Sequence, residues 1–126
     1  MLILFIQYDW FLFQIQMLAL AIARIVFGKG SLEYETESEE IPTTTDLLHR
    51  RLLELLAKKR ICEAENLLFD SLDPHNKSGL ALALDFYDRL NKLTDEELEQ
   101  NNFSREEIDS GLRDVMKLYE LSIPNL

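Results

Sequence analysis

The stretch Leu48–Ala64 (LHRRLLELLAKKRICEA) repeats its apolar pattern 34 residues later, in Leu82–Leu98 (LALDFYDRLNKLTDEEL). Leu48, Leu52, Leu53, Leu56 and Ala64 recur as Leu82, Phe86, Tyr87, Leu90 and Leu98. Spacings of three and four within each copy mark amphipathic helices, and a period near 34 is that of stacked two-helix hairpins. Neither hairpin buries its apolar face alone, so the pattern predicts a scaffold that works by contact rather than by chemistry.

Working outward, the composition supports an all-α chain. Of 126 residues 47% are hydrophobic, enough for a core, and only four are glycine and three proline. Leu, Glu, Lys and Ala are abundant and favour helix. Thr45 is the expected N-cap of a helix to about Lys59, with Asp46 favourable in its first turn. A second helix is predicted from about Ile61 to Leu72, with Ile61, Ala64, Leu68 and Leu72 on one face. After the break Asp73-Pro74-His75-Asn76, a third runs from about Leu80 to Lys92 and buries Leu82, Ala83, Phe86, Leu90 and Leu93. Thr94…Glu97 and Ser104…Glu107 read as capping boxes that open a short and a final helix. The final helix turns Ile108, Leu112, Val115, Met116 and Tyr119 inward, with Gly111 at the margin of that face and Pro124 limiting its continuation.

The first 30 residues form a separate unit, a hydrophobic helix ended by Gly28 and Gly30, with Lys29 near its last carbonyls. At 100° per residue, Leu4, Tyr8, Phe11, Leu12, Ile15, Ala19, Ile22 and Val26 form one stripe. Ile3, Ile6, Trp10, Phe13, Met17 and Leu20 form a second, roughly opposite. The uncharged run from Trp10 to Ala23 would reach only about 21 Å as helix, short of a hydrocarbon core of roughly 30 Å. No Lys or Arg precedes Arg24, so the basic start of a signal peptide is missing. A soluble helix apolar on two sides must be covered on both: it is either the central helix of one subunit or, as the small size of the chain favours, covered on one side by a partner. The second stripe, Ile6, Trp10, Phe13, Met17 and Leu20, is therefore the predicted interface of a homo-oligomer, a dimer foremost.

Residues 31–44 are predicted to be an acidic, flexible linker, because Glu33, Glu35, Glu37, Glu39 and Glu40 repel one another with little apolar compensation. Residues 45–126 form the helical-hairpin unit. The net charge of −10 divides as +1 over residues 1–30, −5 over 31–45 and −6 over 46–126. Such a chain is repelled by phosphate backbones and by anionic lipid, which argues against a nucleic-acid partner and against a membrane. The single cysteine, Cys62, permits no internal disulfide and suits a reducing cytoplasm; it reads as a small apolar residue of its helix.

Little in the sequence suggests chemistry. His49 reads as a boundary residue and His75 as a solvated turn residue, with no carboxylates at zinc spacing. Asp73–Gly79 lacks the alternating oxygen ligands of a calcium loop. Phosphate loops and nucleophile elbows are absent, so no cofactor and no metal are expected. Glu65 fits its pattern least: on a helical wheel it falls between Leu72 and Phe69, inside an apolar face, where a carboxylate needs a partner such as Arg51 or Arg60. A single Glu makes no catalytic case, and we expect a non-enzymatic interaction module. The alternatives are a peripheral membrane protein anchored by the first helix, and a small-ligand binder or enzyme with a pocket near Glu65.

Two resemblances accompany this reading. The hairpin Thr45–Leu72 resembles a tetratricopeptide repeat, with Ala64, Leu68, Ser71 and Leu72 at the small and apolar positions of its second helix. The chain as a whole resembles a family of short, uncharacterised bacterial proteins. The residues that carry this likeness are Gln7-Tyr8-Asp9-Trp10, Glu63-Ala64-Glu65-Asn66, Phe86-Tyr87-Asp88-Arg89-Leu90-Asn91, Asn102-Phe103-Ser104-Arg105-Glu106-Glu107-Ile108 and Gly111-Leu112. That resemblance implies a helical, cytoplasmic protein and no particular activity.

Overall fold

A computed structural model describes residues 2–122, and the side chains of residues 10–122. Pro124 and the side chains of Ile3, Leu4, Ile6 and Tyr8 thus lie outside the described part. Helices account for the fold: α1 (Leu2–Ile22), extended by a π-helical turn (Ala23–Phe27), α2 (Thr44–Ala57), α3 (Ile61–Ser71), α4 (Lys77–Asn91), α5 (Asp95–Gln100) and α6 (Arg105–Leu118). There is no strand among the described residues.

The helix at the centre is α4. Ten of its fifteen residues are buried, including Leu80, Leu82, Leu84, Phe86, Tyr87 and Leu90. Periodicity over residues 82–98 foretells only part of this, because α4 is enclosed on several sides: α1, α2 and α6 all pack against it. α2 and α3 form a hairpin, burying Leu52 and Leu55 with Ile61, Ala64 and Leu68. From α6 come Ile108, Leu112 and Val115, with Met116 and Tyr119 half-buried as the wheel predicts. These residues join one continuous core.

Helix ends follow capping chemistry, with corrections. Three threonines, 43–45, compete to cap α2, and the cap is Thr43 rather than Thr45. Its hydroxyl accepts from Asp46 N and Asp46 accepts from Thr43 N, closing a capping box. α4 begins earlier than predicted because the Asn76 side chain accepts from Ser78 N at 3.0 Å. Thr94 and Glu97 form the predicted box on α5. At α6 the Ser104 hydroxyl accepts from Glu107 N, while the Glu107 carboxylate meets that hydroxyl at 3.3 Å. The π-turn ends at Gly28, whose φ of 66° suits glycine. Lys29 contributes a backbone N–H to Ala23 O, and its ammonium instead lies 3.6 Å from Glu35.

The acidic segment is not a free spacer. Leu32 is buried, and the Tyr34 N–H donates to Asp85 Oδ1 at 3.1 Å. Four groups donate to the Asp46 carboxylate: the Tyr34 hydroxyl (2.6 Å) and the N–H groups of Glu37, Ser38 and Thr43. Residues 31–43 therefore form a strap that ties the first turn of α2, at Asp46, to the middle of α4, at Asp85. Burial works against the Asp46 anion, but these four donors outweigh it and hold its pKa well below the usual carboxylate range.

A second polar hub closes the C-terminal end of α4. The Arg105 guanidinium is buried; it donates to Asn91 O (2.8 Å), Asn91 Oδ1 (3.0 Å), Leu93 O and Asp95 Oδ1 (2.9 Å). It thereby satisfies carbonyls that the end of α4 leaves without helical partners. Asn91, oriented in this way, donates to Leu12 O at 3.1 Å and ties α1 to the core.

Candidate functional site

α1 sorts its two stripes differently. Ile15, Leu18, Ala19, Ile22 and Ala23 are buried against α4 and α6. On the opposite side Trp10, Phe13 and Met17 are 53%, 59% and 45% exposed. Leu20 is half-buried at the edge of the core, and the Ile6 side chain lies outside the described part. Trp10 packs edge-to-face on Phe11, ring centroids 5.5 Å apart, so the large exposed indole is braced on its own helix. Ile25, in the π-turn, is exposed as well. The enclosed central helix is α4, and α1 lies at the surface with an apolar row facing outward.

The helix is also longer than its uncharged run. Leu2 to Phe27 spans about 39 Å at 1.5 Å per residue, and Trp10–Phe27 is long and apolar enough to cross a membrane by length and composition. Length alone therefore does not separate a spanning helix from the core helix of a soluble protein. The inner stripe is nevertheless part of the core, and crossing a bilayer would withdraw Ile15, Leu18 and Ile22 from it.

Glu65 is the one carboxylate whose surroundings the wheel flags, and its partner is neither predicted arginine. Arg51 meets Glu54 at 3.2 Å and Arg60 meets Glu63 at 3.8 Å, both i,i+3 pairs on the surface. Tyr87 instead donates its hydroxyl to Glu65 Oε2 at 2.7 Å. Gly111 makes this contact possible: a Cβ there would lie 2.2 Å from the Tyr87 hydroxyl oxygen. Burial, followed by the charges of Glu107 and Asp114, raises the Glu65 pKa, while the Tyr87 hydrogen bond lowers it. Burial, with Glu65 next, pushes the Tyr87 phenol far above its ordinary value. Glu65 and Gly111 line a cleft of about 320 Å³ together with Asn66, Phe69, Ser110 and Asp114, whereas Tyr87 itself is fully buried. Among the described residues no group of three or more His, Cys, Asp or Glu is placed to hold a metal ion.

A larger groove, about 470 Å³, lies between α2, α4 and α5 over Leu53, Leu56, Leu90 and Leu93. Its rim mixes signs: Arg89 is paired with Asp85 at 2.7 Å and Lys92 with Asp88 at 3.0 Å. Asp85 is buried there and couples the groove to the strap through Tyr34. The His49 ring lies 4.7 Å from that of Tyr34, with Nδ1 3.9 Å from Asp85 Oδ2, half-buried as a boundary residue. Cys62, predicted as a small apolar packing residue, is exposed.

Residues 5–120 match a family of unknown function, DUF6483. The chain belongs to this family. The match takes in α6 and all but the first turn of α1, so the DUF6483 unit includes both the outward row and the Glu65–Tyr87 pair. Comparison with curated proteins and with solved structures found no match.

Proposed function

We propose that this DUF6483 protein is a non-enzymatic interaction module that self-associates, as a dimer foremost, through the outer face of α1. One observation carries the reading: Trp10, Phe13 and Met17 form an exposed row on a helix whose other face is fully engaged. Large apolar side chains at helical spacing on a surface mark a contact face. The α2–α3 hairpin supports a tetratricopeptide-like scaffold behind that face. The next helix pair departs from it, because α5 stops at Gln100 and Asn102 takes a φ of 55° where a repeat has a large apolar residue. A single exposed cysteine and an acidic surface fit a reducing cytoplasm.

Light scattering on the purified full-length chain, without detergent, tests the reading. The expected mass is twice 14.7 kDa, falling to the monomer in the double variant Trp10→Glu/Met17→Glu. A wild-type monomer at all concentrations, or a double variant that keeps the dimer mass, sinks it. The reach and hydropathy of Trp10–Phe27 favour a second reading, attachment to a membrane through the same row. Co-sedimentation with neutral and with anionic liposomes separates the two, since this acidic chain would favour the neutral ones.

A further inference from the structure

We infer that two copies pair through α1 antiparallel and about a two-fold axis, with the two Met17 side chains beside that axis. This rests on the self-association reading and adds to it an orientation and a register. The exposed row runs along positions 10, 13 and 17, continues to the half-buried Leu20, and ends at the exposed Arg24. Arg24 makes no ion pair among the described residues. Within residues 1–28 the only charges are Asp9, fifteen positions earlier, and Arg24. The two are equidistant from a point between Gln16 and Met17.

Charge complementarity then selects the orientation. A parallel pair would set Arg24 against Arg24 and position 9 against position 9, like charges along an apolar seam. An antiparallel pair sets each Arg24 against position 9 of the second copy, placing opposite charges at both ends of the contact. The helix dipoles also favour the antiparallel arrangement. In this register Phe13 of one copy meets Leu20 of the other, and the Met17 residues lie side by side. The same patch serves both copies, so the contact closes on itself and generates a dimer rather than a fibre.

Cross-linking through introduced cysteines tests this on the full chain, with Cys62→Ser removing the natural thiol. In that background Met17→Cys should oxidise to a covalent dimer. Trp10→Cys should not, because antiparallel pairing separates the two positions by about 13 residues along the axis, roughly 20 Å, beyond the ~7 Å reach of a disulfide. Arg24→Glu should weaken dimerisation a few-fold, as expected for a pair at the rim, and Asp9→Lys added to it should restore the affinity. Light scattering on the same samples separates the two levels of the argument. If the wild type is a monomer throughout, self-association fails and this pairing fails with it. If it is a dimer but Trp10→Cys cross-links, or Met17→Cys does not, the antiparallel register alone is wrong.

Discussion

At Glu65 two influences oppose each other: burial and neighbouring charge favour the protonated acid, and the Tyr87 hydroxyl favours the anion. The net shift is upward, so the folded chain holds this proton more tightly than the unfolded chain does. The corresponding stability is present below the unfolded pKa and is lost as pH rises through the folded value. Glu65→Gln, which keeps an acceptor for Tyr87, should therefore raise the melting temperature at pH 7 more than at pH 4. Tyr87→Phe should do the reverse at pH 7, removing a hydrogen bond to a charged group worth about 1.5–3 kcal/mol, and NMR should show the Glu65 titration moving further up. Gly111→Ala would ordinarily gain up to about 1 kcal/mol of helix propensity. Here the clash with Tyr87 should dominate and destabilise the chain by about 1–3 kcal/mol in urea unfolding. His49 has the opposite sign from Glu65. Burial chiefly lowers its pKa, with Asp85 and Asp46 opposing and Arg89 adding, so its contribution is complete above about pH 6.5 and fades as pH falls through the folded value. Replacing His49 with Gln should flatten the stability profile on the acid side of neutrality.

Among the elements, the strap shows where a sequence stops being legible. Five glutamates and scant apolar content over residues 31–44 predict solvation, and by composition they must. What holds the segment is two carboxylates outside it, Asp46 and Asp85, one of them 51 residues from the amide it binds. No local pattern encodes such a pairing. The caps were legible to within a few residues because they are local, and Thr43 prevails over Thr45 because only it has Asp46 three places on. Hydrogen exchange checks the strap: the Glu37 and Ser38 amides should be protected, and Asp46→Ala should release both together. Thr43→Ala should cost α2 about 1 kcal/mol, measured by thermal unfolding. The Glu65 site was half legible. The wheel marks the misplaced acid, but its partner comes from the repeat copy, where Tyr87 reads as one more apolar residue.

Across the whole molecule, apolar patterning was sufficient to predict an all-helical chain and the two-sided character of α1. It assigned the enclosed position to neither helix, because enclosure is set by how many neighbours arrive, and α4 is met by α1, α2 and α6. Charge acts at this scale too. Two copies each carrying −10 repel, so dimerisation through an apolar face should tighten as salt rises toward about 0.15 M, where the Debye length shrinks to about 8 Å. Sedimentation at two ionic strengths measures this.

The bond from Asn91 to Leu12 O joins positions 79 residues apart, and the helices that cover the inner stripe of α1 are α4 and α6. On a ribosome α1 is thus made well before the helices that shelter it. At roughly 5–20 residues per second, a nascent chain waits on the order of 5–20 s with Ile15, Leu18 and Ile22 bare as well as Trp10, Phe13 and Met17. During that interval both faces of the helix are open to a neighbouring nascent copy or to a chaperone.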